Sequence, residues 1–234
     1  QPENKQHVAC SLAELGHRVL YVDSLGLRGP RVDKTDSGRI WRRLKNGLRF
    51  PRQVKQGVWV VSPLVLPGQR SGLAARFNRW SLNVSLFIAD IKLDLRRPLL
   101  WTFNPQTRAY LGLGKFQASV YLCVDRIQAQ PGMPAQMIEA AERDLCSSVD
   151  ALFTTSPQLH QELGPLNAGS YPFSNVADAD HFGQAHQGLL SKPSDWPQTE
   201  SPVLIFVGAI DAYKLDLSML EALMERTPKW TYLF

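Results

Sequence analysis

Apolar positions along the chain switch between two spacings, and the switches mark out its elements. Val8, Leu12 and Leu15 recur at helical spacing, and Gly16 then offers a stop. The run 18–23 (Arg-Val-Leu-Tyr-Val-Asp) is short, β-branched and closed by a polar residue, which predicts a buried strand. Val58-Trp59-Val60-Val61 repeats that signature and stops at Ser62-Pro63. Leu73, Phe77, Trp80, Val84 and Phe87 predict a helix over 73–88. Strands are then expected at 98–103, 119–124, 151–155, 170–173 and 203–207, with the opening of another at 230–234. Between them, Pro134 opens a helix with Met137, Ile138, Ala141 and Leu145 on its apolar face. Ser156-Pro157 caps and starts a second helix, and 215–224 reads as a third.

Short apolar strands alternating with amphipathic helices predict an α/β fold, with a parallel sheet covered by helices on both faces. Ligands of such sheets sit at the carboxyl ends of the strands. Asp23, Ser62, Asn104, Asp125, Ser156, Asn175 and Gly208 stand at those ends. The stretch 191–201 is polar and proline-rich and reads as a linker. It separates a domain over 1–190 from a strand–turn–helix unit over 202–234.

The chain has 234 residues, 44% of them hydrophobic and 20% charged, which is ordinary globular usage and excludes disorder as the dominant state. No apolar run approaches the ~18 residues of a membrane span, and the first residues lack the basic-then-apolar signature of a signal peptide. Cys10, Cys123 and Cys146 have no metal-site spacing and read as buried thiols.

Charge changes the picture at one place. The window 28–55 holds ten basic residues against Asp33 and Asp36, a net +8, so the remainder carries −3. Within it Arg39, Arg42, Arg43, Lys45 and Arg49 interleave with Ile40, Trp41, Leu44 and Leu48 at helical spacing, the composition of a surface resting on anionic lipid. A plain solvated surface segment is the competing reading. Trp41, Phe50 and Trp59 are too few, and too apolar in context, to favour stacking on bases, so no nucleic-acid partner is expected.

Signatures of other chemistries are missing. Gly112-Leu113-Gly114-Lys115 lacks phosphate-loop spacing and the following Ser or Thr, and no G-x-G-x-x-G is present. There is no G-x-S-x-G, H-E-x-x-H or paired C-x-x-C. Asp178-Ala179-Asp180 has the letters of a metal-binding D-x-D but reads better as a capped surface turn, so no metal site is assigned. The last unit is more suggestive. Gly208 at a strand end permits close approach of a ligand, a helix start follows, and Lys214 adds a charge, a combination that suits a diphosphate. An ordinary strand–helix turn explains the same residues.

In order and spacing these segments resemble the GT-B-type glycosyltransferases of the retaining group 1 family. The resemblance rests on Gln6-His7-Val8-Ala9 with 15–23, on Trp101-Thr102-Phe103-Asn104-Pro105, and on Tyr121-Leu122-Cys123-Val124-Asp125. It continues through Glu142 with 149–156, Asn175-Val176-Ala177-Asp178 with His181-Phe182, and Phe206-Val207-Gly208-Ala209-Ile210-Asp211. It implies two Rossmann-like domains, an acceptor side over most of this chain and the start of a nucleotide-sugar-binding domain after the linker. It also implies a first strand before Gln1 and most of the donor domain beyond Phe234, so that this piece alone would be inactive.

By the same resemblance, Gly208 and Lys214 meet the donor diphosphate, although the arginine usual after the glycine is Ala209 here. Asp125 is the implied catalytic carboxylate, and Asn104, Ser156 and Asn175 line the acceptor cleft. The implied activity is transfer of a sugar from a nucleotide sugar, the co-substrate, to a hydroxyl of a glycan or lipid-linked glycan, without a further cofactor. Polysaccharide or cell-envelope biosynthesis and a cytoplasmic location, peripheral at the inner face of the membrane, follow as expectations. Two other readings stay open: a nucleotide-sugar epimerase-like enzyme of the same fold, and a non-catalytic binding module with a basic surface.

Overall fold

The apolar runs become strands of three small sheets, with most connections made by helices. The computed structural model describes residues 4–23, 50–66, 72–113, 115–175, 178–208, 210–212 and 215–234. The chain divides into two units, Gln1–Asn175 and Val176–Phe234, and the 191–201 stretch lies inside the second.

In the first unit, α1 (Asn4–Glu14) ends at Gly16, whose φ of +89° lies in the left-handed region that only glycine enters at no steric cost. β1 (Val19–Val22) follows and pairs in parallel with β3 (Val58–Val61), placing Val19 opposite Val58 and Val22 opposite Val61. β2 (Arg52–Lys55) runs antiparallel to β3, joined to it through Gly57 at φ +76°. A side chain at Gly57 would also meet Ala13 Cβ at 2.9 Å. The sequence pattern does not predict β2, because all four of its residues are exposed and hydrogen bonding to β3 alone makes it a strand.

The second sheet has the order β4 (Leu99–Thr102), β5 (Ala118–Cys123), β6 (Ala151–Thr154), β7 (Ser170–Pro172), and every pairing in it is parallel. The helix α2 (Gly72–Leu93) precedes it, while α3 (Ala135–Ser148) and α4 (Pro157–Leu163) form its crossovers. A four-stranded all-parallel sheet flanked by helices is a Rossmann-like α/β arrangement, as the alternation of elements predicts.

Residue alternation fixes the two faces of this sheet. Tyr121, Cys123 and Leu152 point into a core closed by Leu145, Cys146 and Val149 near α3 and by Leu159 and Leu163 of α4. On the opposite face Phe153 packs against Trp101, Tyr171 and Phe173, with ring centroids 5.8, 6.0 and 5.0 Å apart. Asp150 pins the turn from α3 to β6 onto β5, its Oδ2 accepting from both the backbone N–H and the hydroxyl of Ser119 at 2.7 Å.

α2 forms where the sequence places it but turns its large apolar residues outward. Its buried positions are Ala74, Asn78, Ser81, Leu82, Ala89 and Leu93, whereas Leu73, Trp80, Phe87 and Ile91 are 61–81% exposed. Asn78 is fully buried because its amide exchanges hydrogen bonds with the backbone N–H and C=O of Leu66 at 2.7 and 3.1 Å. A buried polar side chain so paired is an inward anchor that an apolar count misses.

In the second unit, α5 (Ala179–His186) is followed by β8 (Val203–Ile205), α6 (Leu217–Arg226) and β9 (Thr231–Leu233), with β8 and β9 parallel. Asp178 is a helix cap rather than part of an isolated turn, its Oδ1 accepting from His181 N–H at 2.9 Å.

The Ser119 hydrogen bonds hold the Asp150 carboxyl below its ordinary range. A depressed native pKa contributes stability at pH values above the unfolded pKa, and that contribution is lost as pH falls through the native value. Asp150→Asn is therefore expected to lower the urea midpoint at pH 7, and the gap to the wild type should close as the pH is taken below the carboxylate range. An equal gap at pH 7 and pH 2.5 would contradict this.

Candidate functional site

All four strands of the second sheet end at one edge because they are parallel, so the residues that follow them are neighbours there. Asn104 follows β4 and caps a short 3-10 helix (Pro105–Tyr110), its Oδ1 accepting from Gln106 N–H at 2.9 Å. Its own N–H donates to Thr102 Oγ1 at 3.1 Å, and that hydroxyl lies 2.7 Å from Thr107 Oγ1. Asp125 follows β5 and is exposed, and its C=O accepts from Ile127 N–H at 3.0 Å in the turn into a second 3-10 helix (Ile127–Ala129). Ser156 follows β6 and caps α4, its Oγ accepting from Leu159 N–H at 3.2 Å. Asn175 lies beyond β7, exposed, at the boundary of the first unit. Thr155 laces two of these ends together: its hydroxyl donates to Val124 C=O at 2.9 Å, and its N–H to Cys123 C=O at 3.2 Å.

Two of the expected site residues thus have local structural duties. The polar groups of Asn104 and Ser156 that accept backbone N–H bonds are engaged as caps. What remains to meet a ligand is the Asn104 amide nitrogen, the Ser156 O–H and the outer lone pair of each oxygen. Asp125 places an exposed carboxylate on this edge. In the neighbouring sheet Asp23 and Ser62, also at strand ends, face each other, with the Ser62 hydroxyl donating to Asp23 Oδ2 at 3.2 Å.

A cavity of about 260 Å³ opens next to this edge, lined by Arg126, Gln128, Glu139, Glu142, Arg143, Leu159, Glu162 and Leu163. Its floor is Glu142, 2% exposed, which takes three donors: Tyr121 Oη–H at 2.6 Å and Cys123 Sγ–H at 3.5 Å on Oε1, and Gln128 Nε2–H at 3.2 Å on Oε2. Gln128 Oε1 is buried and has no hydrogen-bond partner. Arg126 and Glu162 form an ion pair at the rim. Gln128 was not legible as a site residue, because its role depends on a three-residue helical turn that has no apolar pattern.

Burial and the neighbouring Glu142 push the Cys123 thiol up to about 12, and burial first, then Glu142, does the same for Cys146. Tyr121 is raised well above its ordinary value, chiefly by burial. At neutral pH these groups remain protonated, so they donate hydrogen bonds and do not act as nucleophiles.

In the second unit Gly208 is exposed beyond β8, and the Phe206 ring stands 3.1 Å from where a Cβ would be. α6 begins two residues later than the sequence suggests, because Asp216 caps it: Oδ1 accepts from Met219 N–H at 2.9 Å and from the Ser218 hydroxyl at 2.8 Å. These bonds hold the Asp216 carboxyl below its ordinary range. The helix start therefore already carries a carboxylate where a diphosphate was expected to find open amides. Lys214, and the basic residues Arg39, Arg42, Arg43, Lys45 and Arg49, lie outside the described residues. Among the described residues no group of three or more His, Cys, Asp or Glu is placed to hold a metal ion, and no helix is long and apolar enough to cross a membrane.

No family model matches the chain, and no curated protein matches it. Among solved structures, a sucrose-phosphate synthase from Thermosynechococcus elongatus is similar with a TM-score of 0.46 and 13% identity, over 79% of this chain and 92% of that one. The likeness concerns the fold alone.

Removing the Glu142 carboxylate takes the acceptor from the buried donors Tyr121 and Gln128, and leaves Cys123 only the Asp125 C=O at 4.0 Å. Glu142→Ala is expected to cost about 2–4 kcal/mol in urea unfolding. A loss under about 1 kcal/mol would show that the carboxylate is not what ties α3 to β5.

Proposed function

We propose that this chain is the acceptor-binding side of a glycosyltransferase, which moves a sugar from a nucleotide-sugar donor to a hydroxyl of a glycan or lipid-linked glycan. The observation that supports it most is the shared carboxyl edge of β4, β5 and β6, where Asn104 and Ser156 follow the strands on either side of the one that leads to the exposed carboxylate of Asp125. The adjoining cavity is lined by Gln128, whose Oε1 is buried and unpaired. The resemblance to group 1 GT-B enzymes supplies the reaction class.

In this reading the acceptor hydroxyl oxygen forms a bond to the anomeric carbon while the bond from that carbon to the donor phosphate breaks. The nucleoside diphosphate leaves with the electron pair, and its departing phosphate oxygen takes the proton of the attacking hydroxyl. Asp125 orients the attacking hydroxyl or faces the positive charge that develops at the anomeric carbon. The diphosphate is assigned to Gly208 and Lys214, with no resident cofactor or metal.

Asp125→Asn keeps the size of the side chain and removes the charge. Assayed in the full-length enzyme that this reading implies, it is expected to lower transfer from a radiolabelled nucleotide sugar to a hydroxylated glycan by about 10²–10³-fold, with thermal unfolding unchanged. Transfer at the wild-type rate by the folded variant would contradict the assignment.

Contact with an anionic membrane is proposed separately, from the charge of residues 39–49. Replacing Arg39, Arg42, Arg43, Lys45 and Arg49 by Gln should abolish co-sedimentation with vesicles containing one-third phosphatidylglycerol, and wild-type binding should weaken as salt is raised. Wild-type binding indifferent to salt, or unchanged in the variant, would refute it.

A further inference from the structure

The outward face of α2 has more order than a scatter of exposed apolar residues. Leu73, Phe77, Trp80, Val84, Phe87 and Ile91 recur in alternating steps of four and three, the spacing of a seam that packs against another helix. Five of the six are exposed and Phe77 is half-buried. Helical geometry places this seam roughly 140° around the axis from the buried positions Asn78 and Ala89, so the face that fixes α2 to its own unit does not use it.

Along one flank of the seam, at seven-residue intervals, stand Arg76, Asn83 and Asp90, all exposed. The two ends of that flank are therefore of opposite charge, with an amide midway. Laid antiparallel on a copy of itself, the seam matches completely in a single register: Leu73 faces the other copy's Ile91, Phe77 its Phe87, and Trp80 its Val84. That same register sets Arg76 of each copy beside Asp90 of the other, and brings the two Asn83 residues together at the two-fold axis. The apolar match and the charge match are separate conditions, and one register satisfies both. A parallel pairing leaves Arg76 and Asp90 without partners of opposite charge. On a lipid surface Asp90 would be a repelled charge at the edge of the seam.

From this juxtaposition we propose that α2 is a self-association surface, and that two copies of the chain pair through antiparallel α2 helices about a two-fold axis at Asn83. Closed two-fold pairing of one self-complementary patch is the commonest route to a soluble oligomer.

Sedimentation equilibrium of the full chain over a hundredfold range of concentration tests the proposal. The wild type is expected to fit a reversible monomer–dimer equilibrium. Arg76→Asp sets like charges opposite each other at two symmetric places and should raise the dimer dissociation constant about tenfold, as should Asp90→Arg. The double variant Arg76→Asp/Asp90→Arg restores both pairs and should return to within about twofold of the wild type. Phe87→Asp, at an exposed position, should leave a folded monomer. A wild type that stays monomeric throughout, or a double swap as weak as the single changes, overturns the proposal. So does a monomer whose Phe87→Asp change abolishes binding to phosphatidylglycerol vesicles, which would assign the seam to lipid.

Discussion

One buried carboxylate ties α3 to the second sheet. Glu142 sits in the middle of α3, almost without exposure, and collects hydrogen bonds from β5 through Tyr121 and Cys123 and from the turn beyond β5 through Gln128. Burying a carboxylate is costly unless several donors meet it. The arrangement therefore permits few alternatives: α3 can slide along the sheet, or the 127–129 turn can lift, only by leaving that charge unmet. The position of Asp125, between β5 and that turn, follows from it.

At the carboxyl edge of the second sheet, local capping duties fall on residues proposed to meet a ligand. Asn104 and Ser156 satisfy the orphan amides of the helices that follow β4 and β6, and a strand–helix connection needs such a cap whether or not a ligand binds there. Asp125 and the unpaired oxygen of Gln128 are different. One is a charge left facing solvent at a strand end, and the other is a buried acceptor with nothing to accept. Neither is needed to finish the fold, which is why the functional reading rests on them more than on the caps.

Much of this fold was legible in the sequence, and what was hidden had physical causes. The strands around Tyr121 and Leu152 announce themselves because a parallel strand buried on both faces is apolar throughout. β2 was invisible because its residues are all exposed and only its hydrogen bonds to β3 make it a strand. α2 was legible as a helix but not in its orientation, since Asn78 faces inward through its bonds to Leu66 while Trp80 and Phe87 face out. The strand-end positions of Asn104, Asp125 and Ser156 could be read from the pattern of elements. The cavity could not, because it depends on how α3, α4 and a three-residue turn meet in space.

Ligand binding at the carboxyl edge of β4, β5 and β6, as proposed, would shield the backbone there. Amide hydrogen exchange, followed residue by residue while nucleotide sugars and short glycans are titrated into the full chain, tests it most directly. Slowed exchange is expected at the amides of 103–107, 125–130 and 155–160 with at least one of these ligands. No slowing in those segments at saturating ligand, or slowing only on the opposite edge of the sheet, would contradict it.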